Sequence, residues 1–256
     1  MQRPSDCAIG VMGKAPRPGH AKTRLCPPLT HDQAARLSAA FLRDITENIA
    51  LAGMLAPISA YVAYAPVGME SLFTGHLAAG TRLLLADGSP PMPANVQGLG
   101  RCLLHAVMEI LARGHASAVL LNADSPTLPT ALLVRAAAAL EAPGDRIVLG
   151  PAEDGGYYLI GMKTADAHLF ADIPWSTETV AETTRRRAEE RGMPVVELPT
   201  WYDVDDHAAL CRLARETARP VAVDGLLPYR APATAAALSR IGLLTELLDQ
   251  AAAWSN

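Results

Sequence analysis

Four cations fall within eleven residues near the start of the chain: Lys14, Arg17, Lys22 and Arg24, in the segment GKAPRPGHAKTRL. Gly13 and Gly19 punctuate the same stretch. Glycines let backbone N–H groups approach an anion closely, while Lys and Arg supply charge and fork-shaped donors. A di- or triphosphate needs this combination. The segment is not a Walker A loop, because G-x-x-x-x-G-K-[ST] is absent. The plainer alternative is a solvated basic loop. Its place directly behind an apolar first strand favours a ligand site, since open α/β sheets bind ligands beyond the carboxyl ends of their strands.

Carboxylates form the second group. Asp124, in LLNADSPTLP, follows the apolar run ASAVLL. Mg²⁺ prefers one or two carboxylates completed by phosphate oxygens and water, so a single acid at such a strand end suits it. Asp-Ser-Pro is equally a good turn, and both readings stand. Further on, PTWYDVDDHAAL holds Asp203, Asp205 and Asp206. Either Asp205 or Asp206 caps the next helix. That use explains one carboxylate and leaves the others for chemistry. Two carboxylates from distant strands over one cation would neutralise phosphate repulsion during attack.

The third group is GPAEDGGYYLIG, with Glu153, Asp154, Gly155, Gly156 and Tyr157. Asp-Gly-Gly is an ordinary tight turn; alternatively the acids and tyrosines line a substrate pocket. Trp175, in DIPWSTET, precedes a helix capped by Ser176 or Thr177. It either stacks on a substrate or fills core.

Alternating strands and helices must position these groups. Hydrophobic periodicity predicts strands at 7–12, 58–63, 82–86, 116–121, 147–149, 157–160 and 195–198. Helices are expected from a Thr30 cap to 52 with Gly53 as the stop, and over 98–113, 129–141, 176–191 and 206–217. An apolar helix at 233–253 would pack on the domain or mediate a homodimer. This order implies a parallel or mixed sheet covered on both faces. Residues 1–217 read as one nucleotide-binding domain and 218–256 as a C-terminal extension.

Composition narrows the class. The chain has 256 residues, 50% of them hydrophobic and 19% charged, which argues against intrinsic disorder. Against 26 Asp and Glu stand 22 Lys and Arg, a net charge of −4. Proteins that hold nucleic-acid backbones usually carry a basic excess, so the expected anion is a small ligand rather than nucleic acid. Cys7, Cys26, Cys102 and Cys211 form no C-x-x-C pair and are expected as free thiols in a reducing cytoplasm. The first residues lack the apolar core of a signal peptide. No run of about 20 apolar residues suggests a membrane span.

The motifs KAPRPGHAKTRL, DSPTL, PAEDGGYYLIG, IPWST and YDVD, in this order over residues 8 to 212, resemble a bacterial group of GT-A-type transferases of unassigned reaction, commonly taken as glycosyltransferases. The opening from Met12 is also similar to that of 2-phospho-L-lactate guanylyltransferases. The resemblance implies a single-domain, Rossmann-like GT-A fold: an α/β three-layer sandwich with a mostly parallel mixed sheet. It implies that Lys14, Lys22 and Arg24 belong to a phosphate-binding loop, with Gly13 and Arg17 beside them. Asp124 and Asp205 would be the two metal ligands, for Mg²⁺ or Mn²⁺. Gln97, Gly98 and Gly100, in QGLGRCLLHAV, look like a nucleobase-side loop. The chain lacks the LxAGGxGxR signature of sugar nucleotidyltransferases. It also lacks a strict D-x-D, because position 122 is Asn122.

Three functions fit. In nucleotidyl transfer, a phosphorylated or phosphonylated acceptor attacks the α-phosphorus of an NTP, with Lys22, Asp124 and Asp154 as the catalytic set. The cation-rich loop favours this reading. In glycosyl transfer from a nucleotide-sugar, Asp154 or Glu153 would be the base. A noncatalytic nucleotide-binding module would need no pair of metal carboxylates. The expected acceptor pocket comprises Glu153, Gly155, Gly156, Tyr157, Trp175, Ser176, Thr177 and Asp203.

Overall fold

A computed structural model describes residues 6–242. Strand β1 (Cys7–Gly13) shows how the layers arise. Side chains alternate across a strand. Cys7, Ile9 and Val11 therefore enter one apolar core, and Ala8 enters the other with Met12 at its edge. A strand apolar on both faces must be central, and β1 lies between two parallel neighbours.

The remaining strands are β2 (Ile58–Tyr64), β3 (Arg82–Leu85), β4 (Ser117–Asn122), β5 (Ile147–Pro151), β6 (Tyr157–Met162) and β7 (Val195–Glu197). They form one seven-stranded sheet in the order β3-β2-β1-β4-β6-β5-β7. Only β6 runs antiparallel to its neighbours, paired with β4 and with β5, so the sheet is mixed and mostly parallel.

Helices α1 (His31–Ala52), α3 (Thr130–Glu141), α5 (His207–Ala218) and α6 (Pro232–Ile241) share the core of one face. On the other face lie α2 (Leu99–Ala112) and α4 (Val180–Glu190). This is the expected three-layer α/β, Rossmann-like arrangement. The chain starts α1 with a full capping box: Gln33 N donates to Thr30 Oγ1 at 3.2 Å, and Thr30 N donates to Gln33 Oε1 at 2.8 Å. Ala34, Leu37, Phe41, Ile45 and Ile49 then bury one stripe of it. Gly53 is the C-cap, as expected.

Two expectations need correction. Helix α4 begins at Val180, not at 176, and neither Ser176 nor Thr177 caps it. Ser176 has a left-handed backbone (φ 66°), and Thr177 donates its hydroxyl back to the Pro174 carbonyl at 2.7 Å. Residues 176–179 therefore form a turn, closed against the β5–β6 connection where Ala181 N donates to Gly155 O at 3.0 Å. The expected terminal helix is shorter among the described residues: α6 ends at Ile241, and Gly242 takes a left-handed φ of 77° as its cap. The rest of that expected helix, 243–253, lies outside the described residues.

Helix α6 is held by a residue far away in sequence. Its own N-cap, Ala231, offers no side chain to accept a hydrogen bond. The buried Asp44 of α1 supplies one instead, accepting from Ala233 N at 2.9 Å and Thr234 N at 2.6 Å. Among the described residues no helix is long and apolar enough to cross a membrane.

Candidate active site

The parallel strands all end on one edge of the sheet, and the unusual polar residues follow those ends. Asp124 lies two residues beyond β4. Asn122, where a D-x-D would have its first acid, accepts a hydrogen bond from Asp124 N through its side-chain oxygen at 3.2 Å and shapes the turn. So Asn122 positions its neighbour rather than supplying a charge. Three hydrogen bonds then staple this turn to the loop between β7 and α5. Val204 N donates to Asp124 O at 2.9 Å. Ser125 donates its hydroxyl to Tyr202 O at 2.9 Å, and Thr127 Oγ1 lies 3.2 Å from the Tyr202 hydroxyl. These bonds bring Asp205 alongside Asp124. The helix cap falls to Asp206, which accepts from Ala209 N at 2.8 Å.

Between the two carboxylates sits the Lys22 ammonium. It lies 2.7 Å from Asp124 Oδ1 and 3.3 Å from Asp205 Oδ1, and donates to Val204 O at 2.5 Å. An ammonium has three donors, and these three oxygens match them. Only 7% of the Lys22 side chain is exposed. Its backbone is left-handed (φ 50°), and the ammonium lies 5.2 Å from the Phe41 ring centroid. Arg24 adds a contact from outside, 3.3 Å from Asp205 Oδ2.

Two cavities meet here. The smaller, about 400 Å³, is lined by Lys14, Lys22, Leu99, Asp124 and Ser176. The larger, about 610 Å³, is lined by Asp154, Tyr202, Asp203, Arg212 and Arg215. Arg24 and Asp205 line both and form the seam. The larger cavity is rich in acid. Burial, reinforced by the charges of Asp154, Asp205 and Asp124, pushes the Asp203 carboxyl up to about 7. Asp203 therefore feels three other carboxylates near the seam, which is the environment a cation relieves.

The other candidates divide. Arg17 lines neither cavity, with Nη2 3.0 Å from His20 Nε2 and Nη1 3.6 Å from Met69 Sδ. Gly13 is buried where a Cβ would come 2.9 Å from Val62 Cγ1, so packing explains it. Gln97 donates to Ala94 O at 3.0 Å, and it is the next residues, Gly98 and Gly100, that meet Trp175. A Cβ on Gly100 would lie 3.1 Å from Trp175 Cζ2. Trp175 thus packs on the start of α2, with Tyr157 edge-on to it at 6.5 Å. The Tyr157 hydroxyl is buried with no hydrogen-bond partner, and burial raises its pKa. Neither ring lines the cavity that holds Glu153 and Asp203. Thr177 is engaged in its own turn, and Ser176 lines the smaller cavity.

Asp154 has two contacts to account for. It shapes the turn, accepting from Gly156 N at 2.8 Å, and it lines the larger cavity. Gly155 is required there: its φ is 87°, and a Cβ would lie 2.0 Å from Glu178 O. Glu153 is engaged by Arg212, whose Nη1 donates to its two oxygens at 2.8 and 2.9 Å. Arg212 also stacks 3.8 Å from the Tyr202 ring centroid. Arg212 and Arg215 were missed in the sequence. Their signal is a three-residue spacing on a helix that begins at the site.

The residues present fit a divalent cation of the Mg²⁺ type. Two carboxylates from separate loops already converge on one positive charge. Among the described residues, no three His, Cys, Asp or Glu side chains are arranged to hold a metal. Such a pair leaves the rest of an octahedral shell to phosphate and water, as Mg²⁺ prefers.

Residues 48–177 match the family described as "Uncharacterized protein conserved in bacteria (DUF2064)". The chain belongs to that family. The matched span runs from the end of α1 through Asp124 and the β5–β6 turn to Thr177. The cationic loop and Asp205 lie outside it. No protein of curated function matches. Among solved structures, a candidate nucleotide-diphospho-sugar transferase from Desulfovibrio desulfuricans G20 is 26% identical, with a TM-score of 0.77, covering 95% of this chain and 98% of that one. A cytidylyltransferase from Leptospira borgpetersenii serovar Hardjo-bovis is 12% identical with a TM-score of 0.53, covering 94% and 97%. The second likeness is one of fold. Together with the sheet order, the two comparisons establish the GT-A-type, nucleotide-diphospho-sugar transferase fold for this chain.

Proposed function

We propose that this member of the family is a Mg²⁺-dependent nucleotidyltransferase. It would move an NMP from an NTP to a small phosphorylated or phosphonylated acceptor. One observation carries the reading: Asp124 and Asp205 converge on a cation position at the seam of two cavities, beside a loop of Lys and Arg. The smaller cavity suits the triphosphate, with Lys14, Lys22 and Arg24 on its wall. The larger one suits the acceptor, with Arg24, Arg212 and Arg215 to meet its anionic group.

In the reaction an acceptor oxygen forms a bond to the α-phosphorus, and the bond from that phosphorus to the bridging oxygen of pyrophosphate breaks. The protein's part is to align the two groups and offset their charge. Arg24, shared by both cavities, is placed to neutralise both reactants. Asp124 and Asp205 would hold the metal. A bound Mg²⁺ (or Mn²⁺) would supply further charge neutralisation to the reacting phosphates. The enzyme would act in the cytoplasm, where its four thiols stay reduced.

Glycosyl transfer is the second reading. It is favoured by the 26% identical structure and by the acid-rich larger cavity. Asp154 would be the base, because Glu153 is already committed to Arg212.

A thermal-shift panel separates the two. Four NTPs and several UDP- and GDP-sugars are compared with and without Mg²⁺. A ligand at 100 times its Kd adds about 2.7 kcal/mol, which for a domain of this size is roughly 5–10 °C. A metal-dependent shift with one NTP supports nucleotidyl transfer. A shift with a nucleotide-sugar and none with its NTP supports glycosyl transfer and overturns the first reading.

A further inference from the structure

Lys14 and Lys22 belong to one loop and differ sharply in setting. Lys14 is exposed, as expected of a group waiting for phosphate. Lys22 is not: its side chain is 7% exposed, and oxygens of Asp124, Asp205 and Val204 surround its ammonium. Two of those oxygens are the ones assigned to the metal. A left-handed backbone at a non-glycine residue is uncommon and is kept where surrounding structure enforces it. The Phe41 ring beneath the ammonium is a second fixed support. The position is therefore built, not adventitious.

Given the metal assignment made above, on which this step rests, we infer that Lys22 is the resident counterion of the metal carboxylates and competes with the metal for them. Without ligand, its ammonium offsets the repulsion between Asp124 and Asp205 and keeps them converged. A metal ion arriving alone must displace that ammonium from both carboxylates, leaving it only Val204 O of the three oxygens it holds in the free protein. A nucleotide polyphosphate changes the balance, because its oxygens give the ammonium a new partner and leave the carboxylates to the metal. Nucleotide and metal should then bind with positive coupling, and the metal alone weakly. The same side chain thus positions the carboxylates in the free protein and contacts phosphate in the loaded one.

The test is the affinity for Mn²⁺ alone, read by titration of its paramagnetic signal on protein first stripped with chelator. Lys22→Met keeps the apolar stem and removes the charge. It should bind Mn²⁺ alone about tenfold tighter than wild type or better, a coupling of ordinary size. Wild type should gain a similar factor when an NTP is present, and Lys22→Met should lose that gain. Asp124→Asn placed in the Lys22→Met chain should abolish the tight Mn²⁺ binding.

If Lys22→Met binds Mn²⁺ no tighter than wild type while Asp124→Asn still removes binding, the counterion role is wrong and the metal assignment survives. If Asp124→Asn changes Mn²⁺ binding in neither background, the metal assignment fails and the inference falls with it. A destabilised Lys22→Met protein remains informative. Mn²⁺ alone must then raise its Tm more than it raises that of wild type, and an equal or smaller rise overturns the inference. Lys22→Gln provides a second, more polar version of the same comparison.

Discussion

Val204 donates its backbone N–H to the carbonyl of Asp124 at 2.9 Å, joining the turn after β4 to the loop before α5. The two residues are far apart in sequence and belong to loops following β4 and β7, which are not neighbours in the sheet. Because this bond joins backbones, it fixes Asp205 near Asp124 whatever their side chains hold. The nearness of the two loops is therefore a property of the fold, and the Lys22 ammonium draws their carboxylates together.

Asp124→Asn separates charge from shape. The amide keeps the size of the carboxylate and the turn hydrogen bond made by its own backbone N–H. Turnover should fall about 100-fold or more, the scale for losing one electrostatic contact to the transition state. Circular dichroism should be unchanged. Activity within a few-fold of wild type would remove Asp124 from the metal site.

Gly155 is the most constrained position of the acidic loop. Its φ of 87° disfavours any side chain, and a Cβ would lie 2.0 Å from Glu178 O. Gly155→Ala should cost at least about 2 kcal/mol, measured by urea unfolding. It should also disturb Asp154, whose carboxylate closes the same turn. A variant of wild-type stability would contradict the close approach of the 176–179 turn.

Asp44 caps a helix it does not belong to. Asp44→Asn keeps one acceptor oxygen and puts an amide donor in place of the other, so one of the two bonds from Ala233 and Thr234 is lost. The expected cost is about 1–2 kcal/mol. Hydrogen exchange should rise first in α6. Uniform exchange across the domain would mean that α6 is not a separately held element.

Stability should also fall in acid through a cluster at the opposite edge of the sheet. Burial pushes the Asp6 carboxyl up, yet hydrogen bonds to Ser59 and His115 and the His115 charge together hold it below the ordinary carboxylate value. His115 Nδ1 lies 2.8 Å from Asp6 Oδ1, and its Nε2 lies 2.8 Å from the Tyr61 hydroxyl. A carboxyl with a lowered folded pKa contributes stability that is complete above its unfolded value and lost as pH falls through the folded one. The loss therefore begins below about pH 4. Asp6→Asn should flatten the dependence of Tm on pH in that range. An unchanged acid slope would show that other carboxylates set it.

Much of this was legible in the residues, for identifiable reasons. The Thr30–Gln33 box, the apolar run of β1 and a cap at Asp205 or Asp206 are local signals, and local physics decides them. That an acid of the 203–206 segment should meet Asp124 followed from both segments trailing strands of one sheet, and the choice of Asp205 followed from the family resemblance. Contacts between distant segments were not legible: the Asp44 cap on α6, and the Lys22 ammonium enclosed by Asp124 and Val204. Tyr157 was grouped with Glu153 in the expected acceptor pocket, and the structure sets the two apart. The period of two already sets Tyr157 and Tyr158 on opposite faces. Tyr157 accordingly joins Trp175 on the α2 side, while Tyr158 donates to Pro199 O at 2.9 Å. The early start expected for α4 followed from two residues that often cap helices but here form a turn.

Pyrophosphate release distinguishes nucleotidyl transfer from glycosyl transfer. Purified protein is given each NTP with Mg²⁺ and a panel of small phosphorylated and phosphonylated acceptors. Nucleotidyl transfer predicts pyrophosphate from one preferred NTP only when acceptor and Mg²⁺ are both present, with the signal lost in Asp124→Asn. Nucleotide-sugar turnover by the wild-type protein, with no pyrophosphate from any NTP, would contradict it.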